Sequence, residues 1–463
     1  MVGNNAGANS LYFAMIRRPA VRIAITRARG CLLEYVSRSK TYTRHKKRQK
    51  RESVKLKTRP EDFVVEEVTE GFQYGPNWGP YSVYSLTKRT METQHAIYAM
   101  AEEFGVKRED VHFGGLKDKH AITTQYVTIE NGPKKSYEQK SFSATYLGDA
   151  KRHFHSSDIL GNKFKITLRN FADDVIPTMD KAINSRTLYG FPNYYGAQRF
   201  GSVGLSGEFA AKLWCAREHE RALHLLFTDE YPHEKPSQKQ FRAIAADHWG
   251  DWNDLKRAAN EYVDNIRDVK LHMKVLDNLI RDPQDYLGAF MKFPKHLRAI
   301  WLSAYQSFLW NTMASLYLQK FLTNTNFENQ FLSPSLTQLG TLAFYQDITE
   351  QETVQLKRVL LPMISKRTAI QPQPLLEEVI EETLDMMRVQ MDDLVVPSPR
   401  DCFFTNISRN LIEFPHSMSH KWIEDESYAG KKSLRMEFQL GRGVYATSFF
   451  SALHSYSDYL RKQ

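Results

Sequence analysis

Between Val54 and the C-terminus, apolar and polar positions alternate in two distinct rhythms. "DFVVEEV", Asp62 to Val68, has the two-residue period of a strand. "METQHAIYAMAEEFG" places its apolar residues at helical spacing and closes at Gly105. "TTQYVTIENG" alternates again and stops at Asn131-Gly132, a strand followed by a turn. "GNKFKITLRNF" sets Phe164, Ile166 and Leu168 on one face of another strand, and "TMDKAINSRTLYG" is helical up to Gly190. "LRMEFQLGRGVYATSFFSALHSYSDYL" reads as a strand, a turn at Gly441 to Gly443 and a helix.

From about Gly201 to Asn410 the helical period dominates, as in "EFAAKLWCAREHERALHLLF" and "LEEVIEETLDMMRVQMDDL". Strand-rich ends around a helix-rich centre predict an inserted domain. Residues 1–50 stand apart. "IRRPAVRIAITRARG" and "TRHKKRQKR" are rich in Arg and Lys, and Glu34 is the only acid. That composition fits a basic arm for RNA phosphates, a transit peptide, or an over-extended start with Met15 as the initiator.

The whole chain of 463 residues carries a formal charge of +10, which favours polyanionic partners, nucleic acid before membrane. Mean hydropathy is −0.51 and no apolar run approaches the roughly 18 residues of a membrane span, so a soluble protein is expected. Three scattered cysteines, Cys31, Cys215 and Cys402, form no CxxC pair and argue against a thiolate zinc site or a disulfide framework. His153 and His155 lack a third ligand at metal-like spacing.

Candidate chemistry centres on "GGLKDKHAITTQ", Gly114 to Gln125, where Asp118 lies between Lys117 and Lys119 after two glycines. Neighbouring cations keep a carboxylate ionised, which suits a nucleophile or an electrostatic stabiliser better than a general acid. The glycines are expected to provide a sharp turn and close ligand approach. Lys-Asp-Lys is also a common solvated turn. "FPNYYGAQRFG" interleaves aromatic and polar groups fit for base stacking, although Tyr194, Tyr195 and Phe200 taken singly read as core. Glu66 and Glu67 could form the acid pair of a glycosidase.

Six segments in order resemble the TruD family of pseudouridine synthases: "LKTRPEDFVVEE", "GGLKDKHAITTQ", "GNKF", "NYYGAQRFG", "WLSAYQSFLWN" and "GRGVYATS". The resemblance spans Leu56 to about Leu453. It implies an α+β chain: the pseudouridine synthase fold, with a long mixed, mainly antiparallel sheet, plus a helix-rich inserted TRUD domain. The expected division is a basic arm at 1–50, a catalytic domain at 51–189 and 413–463, and the insert at 190–412. The implied activity converts a uridine in RNA to pseudouridine, with transfer RNA and its position 13 the foremost target. No cofactor and no catalytic metal are implied.

Asp118 matches the family's catalytic aspartate and Lys57 its basic partner. Phe63, Asn162, Phe164 and Tyr445 match the base pocket. Lys117 and Lys119 are expected to face phosphates. A monomer in the cytoplasm is expected, or in an organelle if residues 1–50 are a transit peptide. An RNA-binding or chaperone module on the same fold is the rival reading.

Overall fold

The computed structural model describes residues 54–232, 234–332, 336–370, 372–397 and 401–462, so the basic N-terminal stretch lies outside the described residues. Residues from Val54 onward form one compact unit. Its strands, in chain order, are β1 (Phe63–Thr69), β2 (Tyr81–Arg89), β3 (Val111–Phe113), β4 (Ile122–Glu130), β5 (Tyr137–Glu138), β6 (Phe142–Ala150), β7 (Ile159–Phe171), β8 (Phe191–Pro192), β9 (Phe327–Phe331), β10 (Thr341–Tyr345), β11 (Leu360–Pro362), β12 (Ser408–Asn410), β13 (Ile412–Glu413), β14 (His416–Glu424) and β15 (Lys432–Gly441).

A large sheet runs in the order β14-β15-β7-β1-β4-β2-β6-β5, with β3 paired to β4 beyond the end of β1. Only the β1–β4 pairing in it is parallel; the other pairs are antiparallel. The α+β class and the long mixed sheet are therefore as the sequence predicted. β1 begins at Phe63, one residue later than the pattern indicated, because Asp62 ends a short 3₁₀ turn and turns inward to Arg169.

The register lines residues from several strands on one face. Lys88 of β2, Thr123 of β4, Val65 of β1, Phe164 of β7 and Phe438 of β15 are successive cross-strand partners. All five are buried. Directly opposed residues project to the same side of a sheet, so this row marks its covered face.

The helix α1 (Thr93–Phe104) covers one end of the sheet through Ile97, Met100 and Phe104, packed with Tyr84, Leu86, Val127 and Ile129. Gly105 ends it in the left-handed conformation, φ 65°. At the other end the sheet shares the main core with α2 (Ile176–Tyr189). The middle of the chain supplies α3 (Ala210–Cys215), α4 (His219–Thr228), α5 (Pro236–Asp247), α6 (Trp252–Tyr262), α7 (Lys270–Arg281), α8 (Tyr286–Met291), α9 (Lys295–Phe321), α10 (Glu350–Leu356) and α11 (Pro374–Met387), and α12 (Ala446–Leu460) closes the chain. Residue Arg217, φ 60°, breaks the predicted helix "EFAAKLWCAREHERALHLLF" into α3 and α4. Among the described residues no helix is long and apolar enough to cross a membrane.

Candidate active site

The turn Gly114–His120 connects β3 to β4 and lies over the covered face, held from below at several points. Gln125 donates to the Gly115 carbonyl at 3.2 Å. Thr93, the first residue of α1, accepts from the Lys117 N–H at 2.9 Å. Lys88, 1% exposed, donates to the Asp118 carbonyl at 2.6 Å. Gly114 is in extended or ordinary backbone; a Cβ there would come 2.5 Å from Ile159 and 2.9 Å from Phe154. The chain bends at Gly114 as expected, without a positive φ, and the missing Cβ leaves room for the Ile159 and Phe154 side chains.

Asp118 pairs through Oδ2 with Lys57 and accepts at Oδ1 from the His120 N–H at 2.9 Å. Burial alone would raise its pKa, but the Lys57 hydrogen bond and charge, helped by the His120 N–H and Gln198, outweigh it and hold the carboxyl below its usual range. Lys57 occupies the left-handed region at φ 59°, which costs about 1–2 kcal/mol in a residue with a Cβ. Its ammonium lies 4.2 Å from the centre of the Phe63 ring. Phe63 stands edge-on to Phe164 at 6.3 Å, and Phe164 stacks on Phe438 at 5.3 Å. Asp118 and Lys57 keep about a fifth of their side-chain surface, 19% and 22%, open to solvent. The carboxylate is therefore fixed and charged, and still accessible.

Asn162, on the same face of β7 as Phe164, accepts at Oδ1 from Lys117 at 2.8 Å. Lys117 also lies 2.7 Å from Glu67 Oε1, off the line of a hydrogen bond, while Glu67 Oε2 accepts from the Tyr126 N–H at 3.0 Å. Two expectations are corrected here. Lys117 does not face phosphates: it turns inward because the Glu67 carboxylate, with no exposed side-chain surface, requires a cation. Glu66 and Glu67 do not form an acid pair either. Strand alternation sends Glu66 to the other face, where Lys165 binds it at 2.9 Å. Lys119 faces outward and pairs with Glu92 at 3.0 Å.

Tyr445 belongs to a neighbouring cluster. Its ring is 5.8 Å from Tyr195, and the Arg409 guanidinium lies 4.4 Å from the Tyr195 ring. Arg409 donates to the carbonyls of Asn193 and Gly443 at 2.9 and 2.8 Å, joining the two motifs. From α9, Asn311 clamps both the N–H and the carbonyl of Tyr195, at 2.8 and 3.0 Å. A Cβ on Gly196 would reach 2.4 Å from Thr447 and 3.2 Å from Tyr445, so only glycine allows this approach. Tyr194, Tyr195 and Phe200 are indeed buried, as expected singly. Beyond Gly196 the same segment carries Gln198 to Asp118.

Five of the six predicted site residues thus form one connected group, with Tyr445 in the adjoining cluster. Sequence reading passed over Lys88, the inward role of Glu67 and Lys117, and Arg409. The first two were signalled: Lys88 follows Tyr84 and Leu86, and Glu67 follows Phe63 and Val65, each at the two-residue spacing of a buried face. Arg409 had no local signal. Among the described residues no group of three or more His, Cys, Asp or Glu side chains converges on a metal-sized site.

Comparison with known proteins bears on this geometry. The family model for tRNA pseudouridine synthase D (TruD) matches residues 43–452. "Probable tRNA pseudouridine synthase D 2" of Methanocaldococcus jannaschii is 30% identical over 402 residues, 85% of this chain and 90% of its own. "Probable tRNA pseudouridine synthase D 1" of Methanococcus maripaludis is 31% identical over 403 residues, 85% of this chain and 97% of its own. A solved structure, "Putative tRNA pseudouridine synthase D (TruD) from Methanosarcina mazei", superposes with a TM-score of 0.66 at 23% identity, covering 87% of this chain and 93% of that one, which establishes likeness of fold.

Proposed function

This chain belongs to the TruD family of pseudouridine synthases, and from that premise we propose that it isomerises a specific uridine in transfer RNA, with position 13 the foremost target. The observation that carries the proposal is the Lys57–Asp118 pair, a charged carboxylate held beside Phe63 and Phe164 and still open to solvent.

The reaction is balanced within one nucleotide. The N1–C1′ bond breaks, the uracil turns, C5–C1′ forms, C5 loses its proton and N1 gains one. The base must first leave its stack, at a cost of a few kcal/mol. Phe164 offsets part of this with the ring face opposite Phe438, and Phe63 and Tyr445 wall the pocket. Asn162 holds the base edge. Asp118 acts on the sugar, as a nucleophile at C1′ or as a base toward the C2′ proton, and Lys57 keeps it ionised for either role.

Among the described residues the strands of the large sheet come only from 63–171 and 416–441, which supports a catalytic domain in two parts, 51–189 and 413–463, interrupted by an insert at 190–412. In this reading the insert grips the body of the RNA. The test is pseudouridine mapping of transfer RNA with and without the protein. One or more sites should depend on it, and a map identical in both conditions overturns the proposal.

A further inference from the structure

Asn162 is half-buried, and its amide has a defined orientation. Lysine has only donors, so the atom of Asn162 that meets Lys117 at 2.8 Å is its oxygen. Lys117 is itself fixed. Its ammonium sits 2.7 Å from Glu67, and its backbone N–H is bound by Thr93. Glu67 in turn is anchored by the Tyr126 N–H and lies directly opposite Asn162 in the β1–β7 register. The amide oxygen is thereby engaged, and among the described residues no protein group accepts from the Asn162 Nδ2. That N–H pair is left available to a bound base.

We propose that Lys117 and Glu67 act as positioning residues that present the Asn162 amide as a donor to a carbonyl of the target base, so that Asn162 reads uracil against cytosine. This rests on the synthase reading above. Uracil has an approximate two-fold axis through N3 and C6. Turning the base about that axis exchanges N1 with C5 and also exchanges the C2 and C4 carbonyls. A donor placed at one carbonyl before the turn therefore meets the other carbonyl after it, and one amide serves both the substrate and the product orientation. Cytosine breaks this match. With the amide at C4 of the entering base, cytosine sets its own C4 amine against that donor, and a site built to bond an acceptor rejects a group that leaves its donor unpaired. Without Lys117 the amide turns freely and offers oxygen or nitrogen alike.

The test uses transfer RNA transcripts with uridine or cytidine at the modified position and 2-aminopurine beside it, to report extrusion of the base. Wild-type protein should bind and extrude the uridine form roughly tenfold or more better than the cytidine form. Asn162→Asp, which keeps one oxygen for Lys117 and turns the other into an acceptor, should reverse that preference. Lys117→Met should bring the ratio to within about twofold, and Lys117→Arg should restore it. Thermal melting of each variant checks folding. Uridine-to-cytidine ratios that stay at the wild-type value in Asn162→Asp and Lys117→Met overturn the assignment, even where both forms bind more weakly. Wild-type protein that makes no pseudouridine instead overturns the activity itself, so the two failures are distinct.

Discussion

Lys88 reaches the carbonyl oxygen of Asp118 at 2.6 Å from a position with 1% of its surface exposed, so a buried ammonium grips the backbone of the residue whose carboxylate Lys57 holds. Burial is the main influence on Lys88 and, with Lys117 nearby and against the pull of Asp118, it brings the pKa down to about 8. The groups on the strands beside it, Thr123 and Phe142, are uncharged. A lysine lowered in the folded state loses its proton before the unfolded chain does. Between about pH 8 and 10.5 the unfolded state binds more protons, and this group's contribution to stability rises with pH. The bond to Asp118 weakens over the same range as it loses its charge. Conversion should therefore decline above about pH 8 in wild-type protein, and Lys88→Arg should flatten that limb. Lys88→Met should lower kcat by about 10²-fold, since a displacement near 1 Å at the reacting group has that cost. A pH series of single-turnover rates measures all three.

Asp118→Asn removes the charge and keeps the shape. Conversion should fall by about 10³-fold or more, while RNA affinity stays within about threefold. Filter binding beside a pseudouridine assay separates the two. Deuterium at C2′ of the target slows the wild-type reaction only if the carboxylate removes that proton, which distinguishes the two routes. Unimpaired conversion by Asp118→Asn would transfer the role to another residue.

Lys57→Met leaves Asp118 with burial and without its main compensating cation. The Asp118 pKa, now below the ordinary carboxylate value, should move up. The ionised form is the active one, so the acid limb of the rate profile should shift to higher pH and the maximal rate should drop. The stability that the depressed pKa provides is present above the unfolded value and disappears as pH falls through the folded one. In the variant the folded value moves toward the unfolded one, so this contribution should shrink. Rate profiles and urea midpoints across the acid range report each effect.

The site was legible in sequence wherever one motif contains its own geometry. Alternation in "GNKFKITLRNF" already places Asn162 and Phe164 on one face, and the charged setting of Asp118 is local. Lys57 and Asp118, by contrast, meet through the parallel β1–β4 pairing, and a parallel register leaves no trace in either strand. Lys117 was misjudged for a related reason. In the chain it is one of two lysines flanking Asp118 in a Lys-Asp-Lys triplet, and only folding brings buried Glu67 beneath it. Arg409 and Asn193 are joined across the whole helix-rich segment, where local periodicity carries no information.

Arg169 supplies the last prediction, one about stability. It is buried at 4% exposure and holds two buried acids, Asp62 and Asp425. Its Nε bonds both Asp62 oxygens at 2.9 and 3.0 Å, its Nη2 bonds Asp62 at 2.6 Å, and its Nη1 reaches Asp425 at 3.3 Å. Asp62 precedes β1, Arg169 lies in β7 and Asp425 follows β14, so one guanidinium ties three segments beneath the catalytic face. Arg169→Met should destabilise the fold by about 3–5 kcal/mol, because two carboxylates are left buried without a cation. Replacing all three with apolar residues should cost much less than this single change, since no charge then stays stranded. Chemical denaturation of the single and triple variants measures the contrast, and equal losses in both would show that the network contributes net binding energy beyond charge compensation.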